Sequence, residues 1–145
     1  MANKLTIKTS RKPAVTITRV ALKTDRLVYF AVANKAIKYL YGRSRIVYIG
    51  TTKRGARRIA ASAAAKANEM LSIYGISSLE FYTVSCRARQ GVKTWHKLER
   101  GLILSFREVF GEIPACNTQG NRIKWTDEDW YFTRRRLRSV VEMYS

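Results

Sequence analysis

The chain has 145 residues, 46% of them hydrophobic, and its 28 Lys and Arg against 10 Asp and Glu leave a net charge of +18. That length suits one domain with a real core, and the self-repulsion of such a charge is relieved by a polyanion, so nucleic acid is the leading partner class. The longest apolar run, 27–33, is far too short to span a bilayer, no apolar segment follows the basic N-terminus as a signal peptide would, and the two cysteines, Cys86 and Cys116, form neither a metal-spaced cluster nor a disulfide framework, which points to a reduced, intracellular protein.

In chain order, residues 1–12 are polar and basic and read as an arm or a loose first strand, and 14–20 alternates as a strand does. The run "LVYFAVAN", 27–34, is a strand with Leu27, Tyr29 and Ala31 on one face and Val28, Phe30 and Val32 on the other. Residues 35–44 read as a basic connection, and "RIVYIG", 45–50, as a second strand that closes a long-looped antiparallel hairpin. The Ala-rich stretch 54–72 predicts a helix ended near Gly75, and 78–86 a third strand. In 94–111, Trp95, Leu98, Leu102, Phe106 and Val109 step by three and four; Thr94 is placed to cap that helix and Gly111 to end it. Residues 126–144 predict a last helix, with Thr126 as cap and acids 127–129 in its first turn. The expected architecture is a small mixed α/β domain of α+β type. It has a central three-stranded antiparallel sheet flanked by helices, with a basic segment at 1–26, a core at 27–120 and a C-terminal helix at 121–145 packed on that core.

Charge and motif coincide. Residues 1–68 hold 16 Lys or Arg against one acid, Asp25, while 69–145 hold 12 against nine. The basic half contains "RIVYIGTTKRGARR", 45–58. Gly50 permits a tight exit from the strand and a close approach by another group. Tyr48 and Tyr29 stand where their hydroxyls reach a surface, and Arg57 and Arg58 open the next helix, where a phosphodiester meets guanidinium forks and the positive helix end.

The order of these residues resembles the GIY-YIG nuclease superfamily. "LVY", 27–29, stands where that family has its first signature, so Tyr29 matches the first tyrosine and Tyr48 the second; Arg58, ten residues past Tyr48, matches the arginine of the following helix. "LERGLI", 98–103, matches the helix with the metal-binding Glu, giving Glu99, and "IPACN" matches the Pro-then-Asn loop, giving Asn117. The resemblance spans residues 27–120. Leu27-Val28 replaces the family's Gly and Ile, the tyrosines are 19 residues apart, and Ser62 stands one turn past Arg58 where many members carry a His or Tyr.

The resemblance implies a DNA endonuclease. In it Glu99 holds one Mg²⁺ (or Mn²⁺) whose shell water completes, Arg58 neutralises charge on the phosphoryl oxygens, one of the two tyrosines accepts a proton from the attacking water, and Asn117 is structural or orients phosphate. An unperturbed Tyr has a pKa of about 10, so a cation such as Lys53 is expected to lower it. Glu69 and Glu80, the other nearby acids, read as surface residues, and His96, the only histidine, as a surface or cap residue. Duplex DNA is the expected partner, held by Lys53, Arg54 and Arg57 and by Lys35, Lys38, Arg43 and Arg45. Composition alone favours a non-catalytic nucleic-acid-binding module of ribosomal or architectural kind, and what separates the two readings is Glu99, which a pure binder has no need of.

Overall fold

The computed structural model describes residues 5–13, 26–52 and 56–145, and within the first helix only part of the side chains. The expected strand at 14–20, together with Lys53, Arg54 and the side chains of Arg57 and Arg58, lies outside the described residues. Residues 5–13 are exposed and form neither helix nor strand.

Three strands make one antiparallel sheet: β1 (Leu27–Tyr39), β2 (Gly42–Thr52) and β3 (Leu79–Val84), in the order β2-β1-β3. With α1 (Ala56–Leu71), α2 (Thr94–Phe110) and α3 (Arg134–Tyr144) they form a small α+β domain. The long hairpin loop expected at 35–44 is absent: both strands run through it and leave only Leu40 and Tyr41 as the turn. The extension is uneven. Ladder pairing passes from Val32↔Ile46 directly to Ile37↔Ser44, so four residues of β1 face one of β2. The displaced segment is anchored elsewhere: Asn34 Oδ1 accepts from Ser77 N at 2.9 Å and Ser78 N at 3.1 Å, and Arg43 donates to Ala36 O at 2.8 Å.

A second irregularity decides which face of the sheet Tyr48 takes. Ala31 pairs with Tyr48 and Val32 with Ile46, so Val47 is an extra residue on β2. A bulge of this kind reverses the alternation beyond it. Ile46 and Ile49 therefore share one face with Val28, Phe30 and Val32, while Val47 and Tyr48 lie on the opposite face with Ala31 and Tyr29. Strict alternation puts Tyr48 on the Ile46 face; the bulge turns it towards Tyr29.

The larger core lies on the Ile46 face. Leu98, Leu102, Ile103, Phe106 and Phe110 of α2 and Leu137, Val140 and Val141 of α3 pack there. Each such side chain contributes about 1.5–3 kcal/mol on burial. The two helices meet at Gly101, where a Cβ would come 2.8 Å from Leu137 Cδ1. On the other face Ile59 of α1 packs with Leu27 and Tyr29, and Met70 with Ala31, Ala33 and Val47.

The ends of the helices differ from expectation. Gly111 ends α2 in the left-handed region at φ 82°, as expected. Thr94 does not cap: Lys93 occupies the cap position without a side-chain bond, and Thr94 is buried as the first helical residue. The C-terminal helix starts later, with Thr133 as its cap, accepting from Arg136 N at 3.2 Å, rather than Thr126. The acids at 127–129 sit in and beside a separate 3-10 turn, Glu128–Trp130. Arg100 explains the break: its Nε donates to fully buried Glu128 at 2.6 Å, and its guanidinium to Lys124 O at 2.8 Å.

Candidate active site

β2 is an edge strand, and the loop after α2 covers its open side. Cys116 N donates to Val47 O at 2.9 Å. Asn117 then binds Ile49 twice: Oδ1 accepts from Ile49 N at 2.9 Å, and Nδ2 donates to Ile49 O at 2.9 Å. The amide thus serves as a one-residue strand partner at the ladder position between Tyr48 and Gly50. Both amide atoms of Asn117 are thus engaged in holding β2.

Beside this edge lies a cleft of about 250 Å³, lined by Tyr48, Ile49, Lys66, Glu99, Arg100, Ile103 and residues 117–120 with Ile123. It brings together a strand, two helices and a loop. Three of the five residues expected at the site, Tyr48, Glu99 and Asn117, line it.

Tyr29 does not. It is 2% exposed, its ring centroid 5.9 Å from that of Tyr48, and it borders Phe81 and Ile59 from beneath. The expectation that its hydroxyl reaches a surface fails, because α1 and Phe81 close that face of the sheet. Gly50 is what lets the two rings lie side by side: a Cβ there would meet Tyr48 Cε1 at 2.7 Å and the Tyr29 hydroxyl oxygen at 2.9 Å. The two rings are tilted by 47° to one another. Burial, Tyr29 and the charges of Glu99 and Glu69 together push the Tyr48 phenol well above its ordinary range. With these groups alone Tyr48 keeps its proton at neutral pH; Lys53, expected to lower it, lies outside the described residues.

Glu99 projects from the first turns of α2, its side chain 24% exposed, with His96 Nδ1 3.8 Å from Oε2. Burial pushes its carboxyl up to about 7. Neighbouring Arg100 does not offset this, since its guanidinium is taken by Glu128 and Lys124. A carboxylate kept short of water and cations in a cleft is poised for a cation or a proton. Among the described residues no group of three or more His, Cys, Asp or Glu is placed to hold a metal. The donor set is one carboxylate with open space beside it, which fits Mg²⁺, an ion that keeps several waters and takes one or two carboxylates plus phosphate oxygens.

Residue 58 lies in the first turn of α1, next to Ile59, which packs on Tyr29. Lys66, two turns further along the same helix, is a cleft residue that sequence reasoning missed. Its ammonium sits 4.3 Å from the centroid of the Tyr48 ring and donates to Cys116 O at 3.2 Å. The positions 58, 62 and 66 form one helical stripe, and continuing that stripe one turn past Ser62 finds it.

The expected DNA contacts Lys35, Lys38, Arg43 and Arg45 are exposed along the hairpin, and none lines the cleft. Glu69 and Glu80 are exposed as expected. Cys86 and Cys116 are free, and among the described residues no helix is long and apolar enough to cross a membrane. Compared with family models, with curated proteins and with solved structures, the chain matches none.

Proposed function

We propose that this chain is a metal-dependent DNA endonuclease of GIY-YIG type, using one divalent cation. The observation that carries the reading is that Tyr48, Glu99 and Asn117, far apart in sequence, line one cleft in which Glu99 is desolvated and free of any Lys or Arg partner among the described residues.

Glu99 would hold the cation, Mg²⁺ or Mn²⁺, which supplies Lewis acidity to a phosphodiester oxygen. Tyr48, rather than buried Tyr29, meets the attacking water, because only Tyr48 lines the cleft. Tyr29 backs the Tyr48 ring from beneath. The raised phenol orients water through its oxygen and takes part in proton transfer only once positive charge enters the cleft. Arg58, from the first turn of α1, neutralises the charge that develops on the phosphoryl oxygens. Lys66 steadies the Tyr48 ring and ties α1 to the 116–117 loop. The net charge of +18 supports duplex DNA as partner, and the two free thiols suit an intracellular setting.

The same charge favours a second reading, a non-catalytic nucleic-acid-binding module. Incubation with supercoiled plasmid separates the two. Nicking or linearisation in Mg²⁺ or Mn²⁺ that EDTA abolishes supports the nuclease; retarded but intact plasmid in every buffer supports the module.

A further inference from the structure

The turn of the β1–β2 hairpin is unusual in what it exposes. Leu40 is 67% exposed and Tyr41 75% exposed, while most large apolar side chains of the sheet are buried. The turn is also held firmly. Tyr41 N donates to Phe110 O at 3.0 Å and Leu40 N to Glu112 Oε1 at 3.1 Å. The Tyr41 ring lies against Gly111, where a Cβ would approach Cδ2 and Cε2 to 2.9 Å.

One continuous stretch, 110–117, joins this turn to the cleft. After Phe110 and Glu112 bind the turn, Ala115 N donates to Tyr39 Oη at 3.1 Å, Cys116 binds Val47, and Asn117 binds Ile49. The turn and the cleft thus lie along one edge at a fixed separation. From Gly42 to Tyr48 is six residues of strand, roughly 20 Å at about 3.3 Å per residue.

The surroundings choose the occupant. Lys38 and Arg43 pair across the hairpin next to the turn, Arg45 follows on β2, and all three are exposed. Glu112 is the acid at the turn, and it is engaged by Leu40 N. Apolar side chains at a rigid tip, rimmed by cations, match a base step flanked by phosphates; proteins that kink duplexes insert such residues between bases.

We infer that Leu40 and Tyr41 form a wedge that enters duplex DNA and unstacks one base step about six base pairs from the phosphate in the cleft, since the ~20 Å separation corresponds to about 3.4 Å per base pair. The inference rests on the proposed DNA-binding role, and it gives the chain a device for choosing its target.

The test uses the full chain in EDTA, so that cleavage does not enter, with duplexes carrying 2-aminopurine at successive positions. The expected result is a fluorescence rise confined to one step, lost in Leu40→Ala/Tyr41→Ala. That variant should bind about tenfold more weakly, on the scale of losing one stacked base, with an unchanged dependence of log K on log salt, since no phosphate contact is removed. Both residues are exposed, so the variant's melting temperature should match the parent's. A parent that binds duplex without unstacking at any position, or a variant of equal affinity, overturns the wedge and leaves the nuclease reading intact. A parent that binds no duplex overturns both.

Discussion

Asn117 holds Ile49 through both of its backbone groups, at 2.9 Å each, and so fixes the edge strand at the point where Tyr48 enters the cleft. A loop side chain here does the work of a whole neighbouring strand. The consequence is that the position of Tyr48 depends on a residue 68 positions beyond its neighbour Ile49 in sequence.

Asn117→Asp keeps the acceptor and loses the donor, leaving Ile49 O unpaired beside a new charge. Loss of about 1–3 kcal/mol of stability is expected, the scale of an unsatisfied partly buried group. Plasmid nicking should fall with it. Urea denaturation and a nicking assay on the same preparation check both; a variant with parental stability would show that the paired bonds hold nothing.

Gly50→Ala places a methyl against the Tyr29 and Tyr48 rings at distances no real Cβ adopts. One or both rings must move. Overpacking of this kind costs about 1–3 kcal/mol, and the near-ultraviolet circular dichroism of the tyrosines should change. An unaltered spectrum and midpoint would mean the rings have room that the structure does not show.

Glu99→Gln should stabilise the free protein. The folded carboxyl stands at about 7 against an ordinary 4.5. Between those values the folded state holds a proton that the unfolded state has released, so stability falls as pH rises through the window and stays low above it. Gln removes the loss, worth about 3 kcal/mol at pH 8, at about 1.4 kcal/mol per pKa unit. Denaturation at pH 4 and pH 8 in EDTA tests it: the two proteins should nearly match at pH 4 and diverge at pH 8. Equal stability at both values would mean that Glu99 is ordinarily solvated.

Glu128 carries the opposite dependence. Burial raises its carboxyl, but the bonds from Arg100 and the Thr126 N–H outweigh burial and hold it below the ordinary carboxylate range. Its stabilisation is present above the unfolded value and is lost as pH falls through the lower folded one. Glu128→Ala leaves a partly buried Arg100 without its carboxylate and should cost about 3 kcal/mol at pH 7. The acid limb of the stability curve should flatten with it. A parental acid limb in the variant would assign acid sensitivity to other groups.

Much of the fold was legible because it is local. The apolar faces of 27–32 and the three-and-four stepping of 94–111 follow from side-chain period alone, and both elements stand where expected. The candidate site was legible as an ordered set of Tyr48, Glu99 and Asn117, but its geometry was not. The Val47 bulge that turns Tyr48 to the Tyr29 face leaves no mark in composition or alternation. The closing of Tyr29 depends on Phe81 and Ile59, from two other elements. Residues 35–44 read as a loop because they are polar and basic, yet side-chain anchors at Asn34 and Arg43 carry the strands through. Acids 127–129 look like a helix start, and it is Arg100, 28 residues earlier, that draws Glu128 inward and moves the start to Arg134.

The most direct measurement compares the parent and Glu99→Gln on supercoiled plasmid in Mg²⁺, with binding to the same DNA followed in parallel. The expected result is nicking by the parent, loss of nicking by at least about a hundredfold in the variant, on the scale of removing a principal electrostatic contact, and binding equal or slightly tighter because one negative charge is gone. Nicking by Glu99→Gln at the parental rate would contradict it.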